Sequence, residues 1–187
     1  MRLGLQGIAL SDHDTMDGIE KMKHYGKKQG LTILPAVEFG TSLVIHGQMT
    51  EIHILGYAFD ETCTKLHQTL QQLVDGREER VKKIVSILRD FGLNITEDEV
   101  FSQKKKGLIG RRQIANVLMQ KQYVKNIGDA FERFIGTGKF AYVPKTIYSY
   151  DEIIRLIHEC GGVAVCAHPK TLRNDDILPL LVDAGID

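Results

Sequence analysis

The stretch Leu5–Thr15, LQGIALSDHDT, joins a short apolar segment to side chains that bind metals or transfer protons. Gly7–Leu10 predicts a buried strand, and the polar residues Ser11–Asp14 follow it directly. In α/β folds, the carboxyl ends of the strands and the loops after them carry the chemistry, so this stretch predicts the edge of an active site. An alternative is that Asp14 or Thr15 caps the next helix, and that Asp12 only faces water.

The same arrangement occurs twice more along the chain. Gly161–His168 predicts an apolar strand ending in a histidine, with Pro169 next to it. Proline cannot continue a strand ladder, so the strand should stop there. Leu31–Val37 predicts a third strand, which leads to Glu38. Three predicted strands therefore each end in a potential metal ligand.

The segment between the first two strands has the pattern of a helix. Apolar residues recur at helical spacing in Thr15–Gln29, and Gly30 follows as a stop signal. A strand, a helix and a second strand predict a right-handed βαβ unit with parallel strands. The chain is therefore expected to have an α/β fold.

A hairpin is predicted around His46–Met49, and its second strand carries His53. If Ile45 were paired with Thr50, His53 would lie about four residues, or about 13 Å, beyond Glu38. An offset register or a bent hairpin would then be needed for the two side chains to share an ion.

From residue 61 the pattern becomes helical for about eighty residues. Thr96 and Glu99 have the spacing of a capping box. The strand pattern resumes only after this region. We therefore predict an inserted helical subdomain at 61–139, between α/β portions at 1–60 and 140–187.

Composition excludes several classes of protein. The chain has 187 residues, is 43% apolar, and has 24 basic and 24 acidic residues. It can bury a core, and it has no net charge that would favour nucleic acid or an anionic membrane. The sequence shows no signal peptide and no apolar stretch of membrane-spanning length. Three cysteines, an odd number, argue against a disulfide framework, so the default compartment is a reducing cytoplasm.

One dense basic patch lies in the helical region, beside two glycines; it consists of Lys104, Lys105, Lys106, Arg111 and Arg112, with Gly107 and Gly110. Arginine forks fit phosphate oxygens, and glycine allows backbone N–H groups to approach an anion. Arg111 and Arg112 are therefore candidate contacts for a substrate phosphate. The alternative is a solvated loop.

The candidate metal ligands are His13, Glu38 and His168, which end their predicted strands, and His53, which lies near the beginning of its strand. Imidazoles and a carboxylate that meet at one edge suit zinc, manganese or iron, and a carboxylate can bridge two ions. Paired ions are a recurrent device for hydrolysing phosphate esters.

Four motifs give the chain a recognisable resemblance. SDHDT at 11–15, AVEF at 36–39, EIHILGY at 51–57 and AHP at 167–169 occur in this order, with a helical insertion between the last two. This arrangement resembles the PHP (polymerase and histidinol phosphatase) family, and in particular its bacterial nucleotide phosphatases and 5′-to-3′ exonucleases.

The resemblance implies a distorted seven-stranded β/α barrel, here a partial one, with two or three divalent ions at its carboxyl rim. It implies that His13 is the histidine of the T-D-H motif and Glu38 the bridging carboxylate. His53 and His168 match the next two histidine ligands. Asp12 and Asp14 match flanking acidic positions, at which we expect side chains that orient the ring of His13.

The sequence also departs from the family pattern. The family's H-x-H and S-D-G motifs near the start and its D-x-H motif near the end do not occur here, so we expect an excerpt of a longer protein. The family's G-R-P-H-I-A pattern reads GRRQIA at Gly110–Ala115, with Gln113 in place of the histidine.

The expected function is that of a metal-dependent phosphoesterase acting on a phosphate monoester or on a nucleotide or oligonucleotide end. Its expected partners are a phosphorylated small molecule, a nucleotide or short oligonucleotides, with no membrane and no obligate protein partner. The excerpt alone is expected to be weak or inactive. The alternative is a truncated module with a binding or regulatory role, and a proofreading domain attached to a polymerase is less favoured.

Overall fold

The structure is a computed structural model that describes residues 4–104, 108–172 and 174–187. It divides into two compact units. The first unit combines Met1–Gln71 with Ile147–Asp187, and the second is Gln72–Thr146. The insertion was predicted at 61–139 from the change in sequence pattern, whereas the structural division falls inside a continuous helix.

The helices and strands, in chain order, are β1 (Gly7–His13), α1 (Ile19–Gln29), β2 (Thr32–Ile45), β3 (Gln48–Tyr57), α2 (Thr64–Asp90), α3 (Glu97–Ser102), α4 (Arg111–Gln120), α5 (Ile127–Ala130), β4 (Tyr148–Ser149), α6 (Tyr150–Glu159), β5 (Val163–Cys166) and α7 (Ile177–Asp183). A π-helical turn at Phe131–Ile135 continues α5, and a 3-10 turn at Pro169–Leu172 follows β5.

The first unit contains one mixed sheet in the order β1-β2-β3-β5, with β4 beside β2. β1 and β2 are parallel, as the predicted βαβ unit requires. β3 is antiparallel to both β2 and β5, so β1, β2 and β5 all run in the same direction. The chain therefore has a mixed α/β fold, and the strands of the described residues form an open path and not a closed ring.

β2 differs from the prediction, because it is one strand of 14 residues and continues past the predicted end at Val37. Glu38 therefore lies in the middle of a strand and not at its end. One edge of β2 pairs with β1 as far as Glu38, and β4 pairs with the same strand from Thr41. Between them, the Gly40 N–H donates to Asp14 Oδ1. The strand continues past Glu38 because this edge keeps hydrogen-bonding partners.

Helix α1 begins later than its apolar pattern predicts. Its first residue is Ile19, after Gly18, and no side chain caps it. The alternative interpretation of Asp14 or Thr15 as its cap is therefore wrong. The helix ends at Gly30, whose φ of 66° is in the left-handed region that glycine adopts without strain.

The second unit is helical and has its own apolar core, formed by Val81, Ile84, Val85, Leu88, Ile95, Val100, Ile109, Ile114, Ala115, Val117, Leu118, Val124, Ala130, Phe134, Ile135 and Ala141. The predicted capping box is present, because the Glu99 N–H donates to Thr96 Oγ1 and the Thr96 N–H donates to Glu99 Oε2. Among the helices of the described residues, none is both long and apolar enough to cross a membrane.

The sequence analysis argued against disulfides, and this prediction is wrong. Cys63 and Cys160 form a disulfide across a sequence separation of 97 residues. The Asp60 N–H donates to the Cys160 carbonyl, which holds the segment before α2 against the end of α6. An odd cysteine count could not reveal this proximity, since it arises only from packing. Cys166 is free, and burial raises the pKa of its thiol.

We predict that two of the three cysteines are oxidised in the folded protein. Denatured without reductant, the chain should expose one reactive thiol, and with reductant it should expose three. Reduction should lower the stability by about 2–5 kcal/mol, because the bond closes a long loop. Thiol titration and urea unfolding measure both effects, and Cys166→Ser is the matched control for Cys160→Ser. Three reactive thiols without reductant would contradict the bond.

Candidate metal centre

The side chains of three histidines meet around one carboxylate oxygen, Glu38 Oε1. His53 Nδ1 lies 2.8 Å from this oxygen, and His168 Nε2 lies 3.2 Å from it. His13 Nε2 lies 3.8 Å from the same oxygen. His53 Nδ1 and His168 Nε2 are 3.1 Å apart. The structure thus brings the four residues that the sequence analysis selected as metal ligands into one cluster.

Strand pairing places the first three of these residues on one face of the sheet. In the parallel pair, His13 of β1 is the direct partner of Glu38 in β2. In the antiparallel pair, His53 of β3 faces Gly40, two residues beyond Glu38. Because side chains alternate along a strand, residues two positions apart share a face. The three side chains therefore point to the same side.

The register of the hairpin follows from its turn. Ile45 pairs with Gln48, so only His46 and Gly47 form the loop. Both have positive φ, 48° and 75°, as a two-residue type I′ turn requires. This pairing is offset by two residues from the simple Ile45–Thr50 pairing. The offset brings His53 within reach of Glu38. The Ile45–Thr50 pairing would leave the two side chains too far apart to share an ion.

His168 reaches the cluster from the end of β5. The last ladder contact is the Ala167 N–H, which donates to the His53 carbonyl at 2.9 Å. His168 itself has a φ of 34°, so the backbone turns out of the sheet at this residue. Its ring packs edge-on against the ring of His53, with 4.9 Å between centroids.

The donor set fits a divalent cation. Ligands bound to zinc at about 2.0–2.2 Å in a tetrahedron are about 3.3–3.6 Å apart, close to the separations seen here. Two imidazole nitrogens 3.1 Å apart repel each other unless a proton or a cation lies between them. The side chain of Glu38 is only 16% exposed, and its negative charge favours a cation at this position. His13, Glu38 and His53 alone already satisfy the spacing of a three-ligand group.

The two acidic neighbours of His13 occupy different environments. Asp14 is buried, and its Oδ1 accepts from the Gly40 N–H while its own N–H donates to the Glu38 carbonyl. Asp14 therefore holds the β2 backbone directly after the Glu38 Cα, at the Glu38 carbonyl and at the Gly40 N–H. Asp12 is exposed and lies on the opposite face of β1, where a Cβ on Gly18 would meet its Oδ2. Asp12 is therefore not beside the His13 ring.

The candidate phosphate contacts belong to the second unit. Arg111 Nη1 donates to the Ile135 carbonyl, and its guanidinium lies over the rings of Phe131 and Tyr142. Arg112 is exposed. Gln113 Oε1 accepts from the Gly110 N–H, so the residue that replaces the family histidine completes the start of α4.

The other residues of the predicted basic patch do not all have the same surroundings. Lys104 forms an ion pair with Glu78. Lys105, Lys106 and Gly107 lie outside the described residues.

Sequence analysis missed two residues at the outer side of the cluster. Thr171 Oγ1 lies 3.1 Å from His168 Nδ1, and Glu51 Oε1 lies 3.3 Å from His53 Nε2. Each is close in sequence to the histidine that it contacts. A search for hydrogen-bonding residues two or three positions from each predicted ligand would have found both.

Comparison with known proteins agrees with this geometry. The chain is 34% identical over 166 residues to a 5′-3′ exoribonuclease of Haemophilus influenzae, covering 89% of this chain and 59% of that protein. It is 28% identical over 163 residues to a 3′,5′-nucleoside bisphosphate phosphatase of Chromobacterium violaceum, covering 87% and 56%. The predicted resemblance to PHP-type phosphoesterases is confirmed.

Solved structures agree with the sequence relatives. A candidate metal-dependent phosphoesterase from Bifidobacterium adolescentis matches all of this chain and 66% of its own, with a TM-score of 0.79 and 29% identity. An amidohydrolase from Chromobacterium violaceum, solved with sulfate and without metal, matches 97% and 65%, with a TM-score of 0.77 and 26% identity. No family model matches the chain. The chain spans less than two thirds of the curated relatives described above.

We predict that Asp14→Ala destabilises the first unit by about 1–3 kcal/mol, because it leaves the buried Gly40 N–H without its acceptor. Asp14→Asn should lose much less, since its amide oxygen can accept the same bond. Urea unfolding measures the difference, and Asp17→Ala, a change at an exposed aspartate of the same loop, is the control. Equal losses for the alanine and asparagine variants would show that the hydrogen bond is not the cause.

Proposed function

We propose that this chain carries the metal-binding part of a metal-dependent phosphoesterase that hydrolyses a nucleotide phosphate or an RNA end. The observation that carries the proposal is the convergence of three imidazole nitrogens on Glu38 Oε1, all within 3.8 Å. Residues up to 155 positions apart in sequence meet there, which the formation of a β-sheet core alone does not require.

In this proposal, His13, Glu38, His53 and His168 hold the ions. A bound divalent ion supplies a polarised phosphate oxygen and an acidified water molecule. Zinc, manganese and iron all accept this donor set, and a complete site of two or three ions is part of the proposal. The His13 and His168 side chains are 55% and 47% exposed, which leaves the outer side of the cluster open to a substrate.

The substrate class is proposed from the relatives. One is an exoribonuclease and another is a nucleoside bisphosphate phosphatase, and both names describe the cleavage of phosphate esters of nucleotides. The sulfate in the amidohydrolase from Chromobacterium violaceum has the size and charge distribution of a phosphate. We therefore propose a phosphorylated nucleoside or a short oligoribonucleotide as the substrate.

Two further parts of the proposal concern the whole protein. We propose that it completes a distorted seven-stranded barrel, because β1, β2 and β5 run in the same direction with metal ligands at one edge. We also propose a cytoplasmic location, because an RNA or nucleotide substrate is found there. The Cys63–Cys160 disulfide opposes this part of the proposal, because a reducing cytoplasm keeps thiols reduced. If thiol titration of freshly lysed cells finds both cysteines oxidised, the cytoplasmic location is wrong.

We predict that Glu38→Gln lowers the affinity of the chain for Zn²⁺ and Mn²⁺ by about 100-fold or more, because the change removes the negative charge at the centre of the ligand set. Isothermal titration measures binding to the chain, and Glu20→Gln at an exposed position of α1 is the matched control.

The same variants are then assayed in the product of the complete reading frame. A 3′,5′-nucleoside bisphosphate and a 5′-phosphorylated oligoribonucleotide are the substrates, with and without added Mn²⁺. Metal-dependent phosphate release that Glu38→Gln abolishes is the expected result. Metal binding without hydrolysis of either substrate would favour the alternative of a binding or regulatory module. Absence of metal binding to the wild-type protein would overturn the proposal.

We propose that Arg111 and Arg112 both contact a substrate phosphate, and we expect their replacement to affect the melting temperature differently. Arg112→Ala should raise KM about tenfold and leave the melting temperature unchanged, because an exposed charged donor is removed. Arg112→Lys should recover only part of the loss, since lysine lacks the planar fork.

Arg111→Ala should in addition lower the melting temperature, because its contact with the Ile135 carbonyl stabilises the second unit. Steady-state kinetics and thermal unfolding separate the two effects. Arg89→Ala, a change at another exposed arginine of the same unit, controls for the loss of charge. Wild-type KM in Arg112→Ala would assign Arg112 to the solvated surface.

A further inference from the structure

We infer that Thr171 is a positioning residue, which fixes the proton on the outer nitrogen of His168 and leaves the inner nitrogen of this ring bare for a metal ion. The inference rests on the proposed metal centre. It assigns a role to a residue that is not among the candidate ligands, and it follows from which atoms can donate a hydrogen bond and which can only accept one.

The hydroxyl of Thr171 has one proton, and that proton is already in use. Thr171 Oγ1 lies 2.8 Å from the His168 carbonyl oxygen, which can only accept, so the hydroxyl donates there. The same Oγ1 lies 3.1 Å from His168 Nδ1. With its proton committed, the hydroxyl oxygen can only accept from this nitrogen. His168 therefore carries its proton on Nδ1 when neutral.

The opposite nitrogen of His168 is then a bare lone pair. This nitrogen, Nε2, is the one that lies 3.2 Å from Glu38 Oε1 and 3.1 Å from His53 Nδ1. A neutral imidazole has one donor nitrogen and one acceptor nitrogen, so protonation at one position fixes the other. Thr171 thus presents the metal-binding form of His168 to the cluster before any ion arrives.

The neighbouring ring, His53, has a carboxylate on each side. Its Nδ1 lies 2.8 Å from Glu38 Oε1 and its Nε2 lies 3.3 Å from Glu51 Oε1, and a carboxylate can only accept. The shorter contact favours the proton of neutral His53 on Nδ1, which lies 3.1 Å from the bare Nε2 of His168. Glu51 and His53 are two positions apart in β3, so their side chains share a face of the strand.

The contact of Thr171 prepares the cluster for a cation. The bare His168 Nε2 lies 3.2 Å from Glu38 Oε1 and 3.1 Å from His53 Nδ1. A cation that replaces the proton on His53 Nδ1 would find the lone pairs of both rings and the Glu38 carboxylate oxygen at binding distance from one another. Outer partners of metal-binding histidines typically contribute about 10–100-fold in metal affinity, because they set the tautomer and the ring orientation.

The first test observes the protons directly in the metal-free chain. Nitrogen-15 spectra of the histidine rings, recorded at a pH at which the rings are neutral, distinguish a protonated nitrogen from a bare one. We expect the proton on Nδ1 of His168, beside Thr171, and on Nδ1 of His53, beside Glu38. Thr171→Val should convert His168 into a mixture of tautomers and leave His53 unchanged. A proton on Nε2 of His168 in the wild-type chain would overturn the inference, whether or not the chain binds metal.

The second test measures Zn²⁺ and Mn²⁺ affinity by isothermal titration. Thr171→Val should weaken binding about 10–100-fold, and Thr171→Ser should restore it, because serine keeps the hydroxyl. Thr62→Val is the matched control, since its hydroxyl donates to Asp60 and does not contact the cluster.

The outcomes separate this inference from the proposed function. If the wild-type chain binds no metal, the proposed metal centre fails. If the wild-type chain binds metal and Thr171→Val binds it equally well, the centre stands and the positioning role of Thr171 fails. Melting temperatures of all variants identify any loss that comes from unfolding, and the Thr171→Ser variant keeps the comparison valid in that case.

Discussion

The candidate metal centre depends on the way β2 pairs with its neighbours. Its parallel pairing with β1 places His13 beside Glu38, and its antiparallel pairing with β3 places His53 two residues away on the same face. Side chains alternate along a strand, so a shift of one residue in either pairing would turn a ligand to the other face of the sheet. The two-residue turn at His46–Gly47 leaves the hairpin little freedom to slip, and it therefore defines the distance between a carboxylate and an imidazole at the centre.

Asp14 shows how a residue in a ligand-rich motif can have a backbone role. β1 ends at His13, and β4 takes up the same edge of β2 only from Thr41. The Asp14 carboxylate accepts a hydrogen bond from Gly40 in the interval between them. A buried N–H without an acceptor is costly, so a short side chain with an oxygen is favoured at this position. Asp14 therefore supports the β2 backbone next to Glu38.

The helical unit shows the limits of interpreting charge from sequence. The basic residues of its loop and helix α4 form one patch in the sequence, but the structure gives the described ones different surroundings. Lys104 pairs with Glu78, Arg111 contacts the Ile135 carbonyl and two aromatic rings, and Arg112 is exposed. Gln113 completes the start of its helix, so the residue that departs from the family pattern has a structural function here.

The sequence by itself determined the α/β class, the capping box, the resemblance to phosphoesterases and the identity of the clustered residues. These follow from local patterns, because an apolar segment and the ligand after it are neighbours in the chain. It did not determine that β2 is continuous or which register the hairpin adopts. The Cys63–Cys160 bond and the contacts of Thr171 and Glu51 with the histidines were also missed. Each of these depends on groups brought together by packing, and a register or a tautomer is fixed only when both partners are in place. The sequence thus named the candidate ligands, and the tertiary structure decided which atoms of those ligands meet.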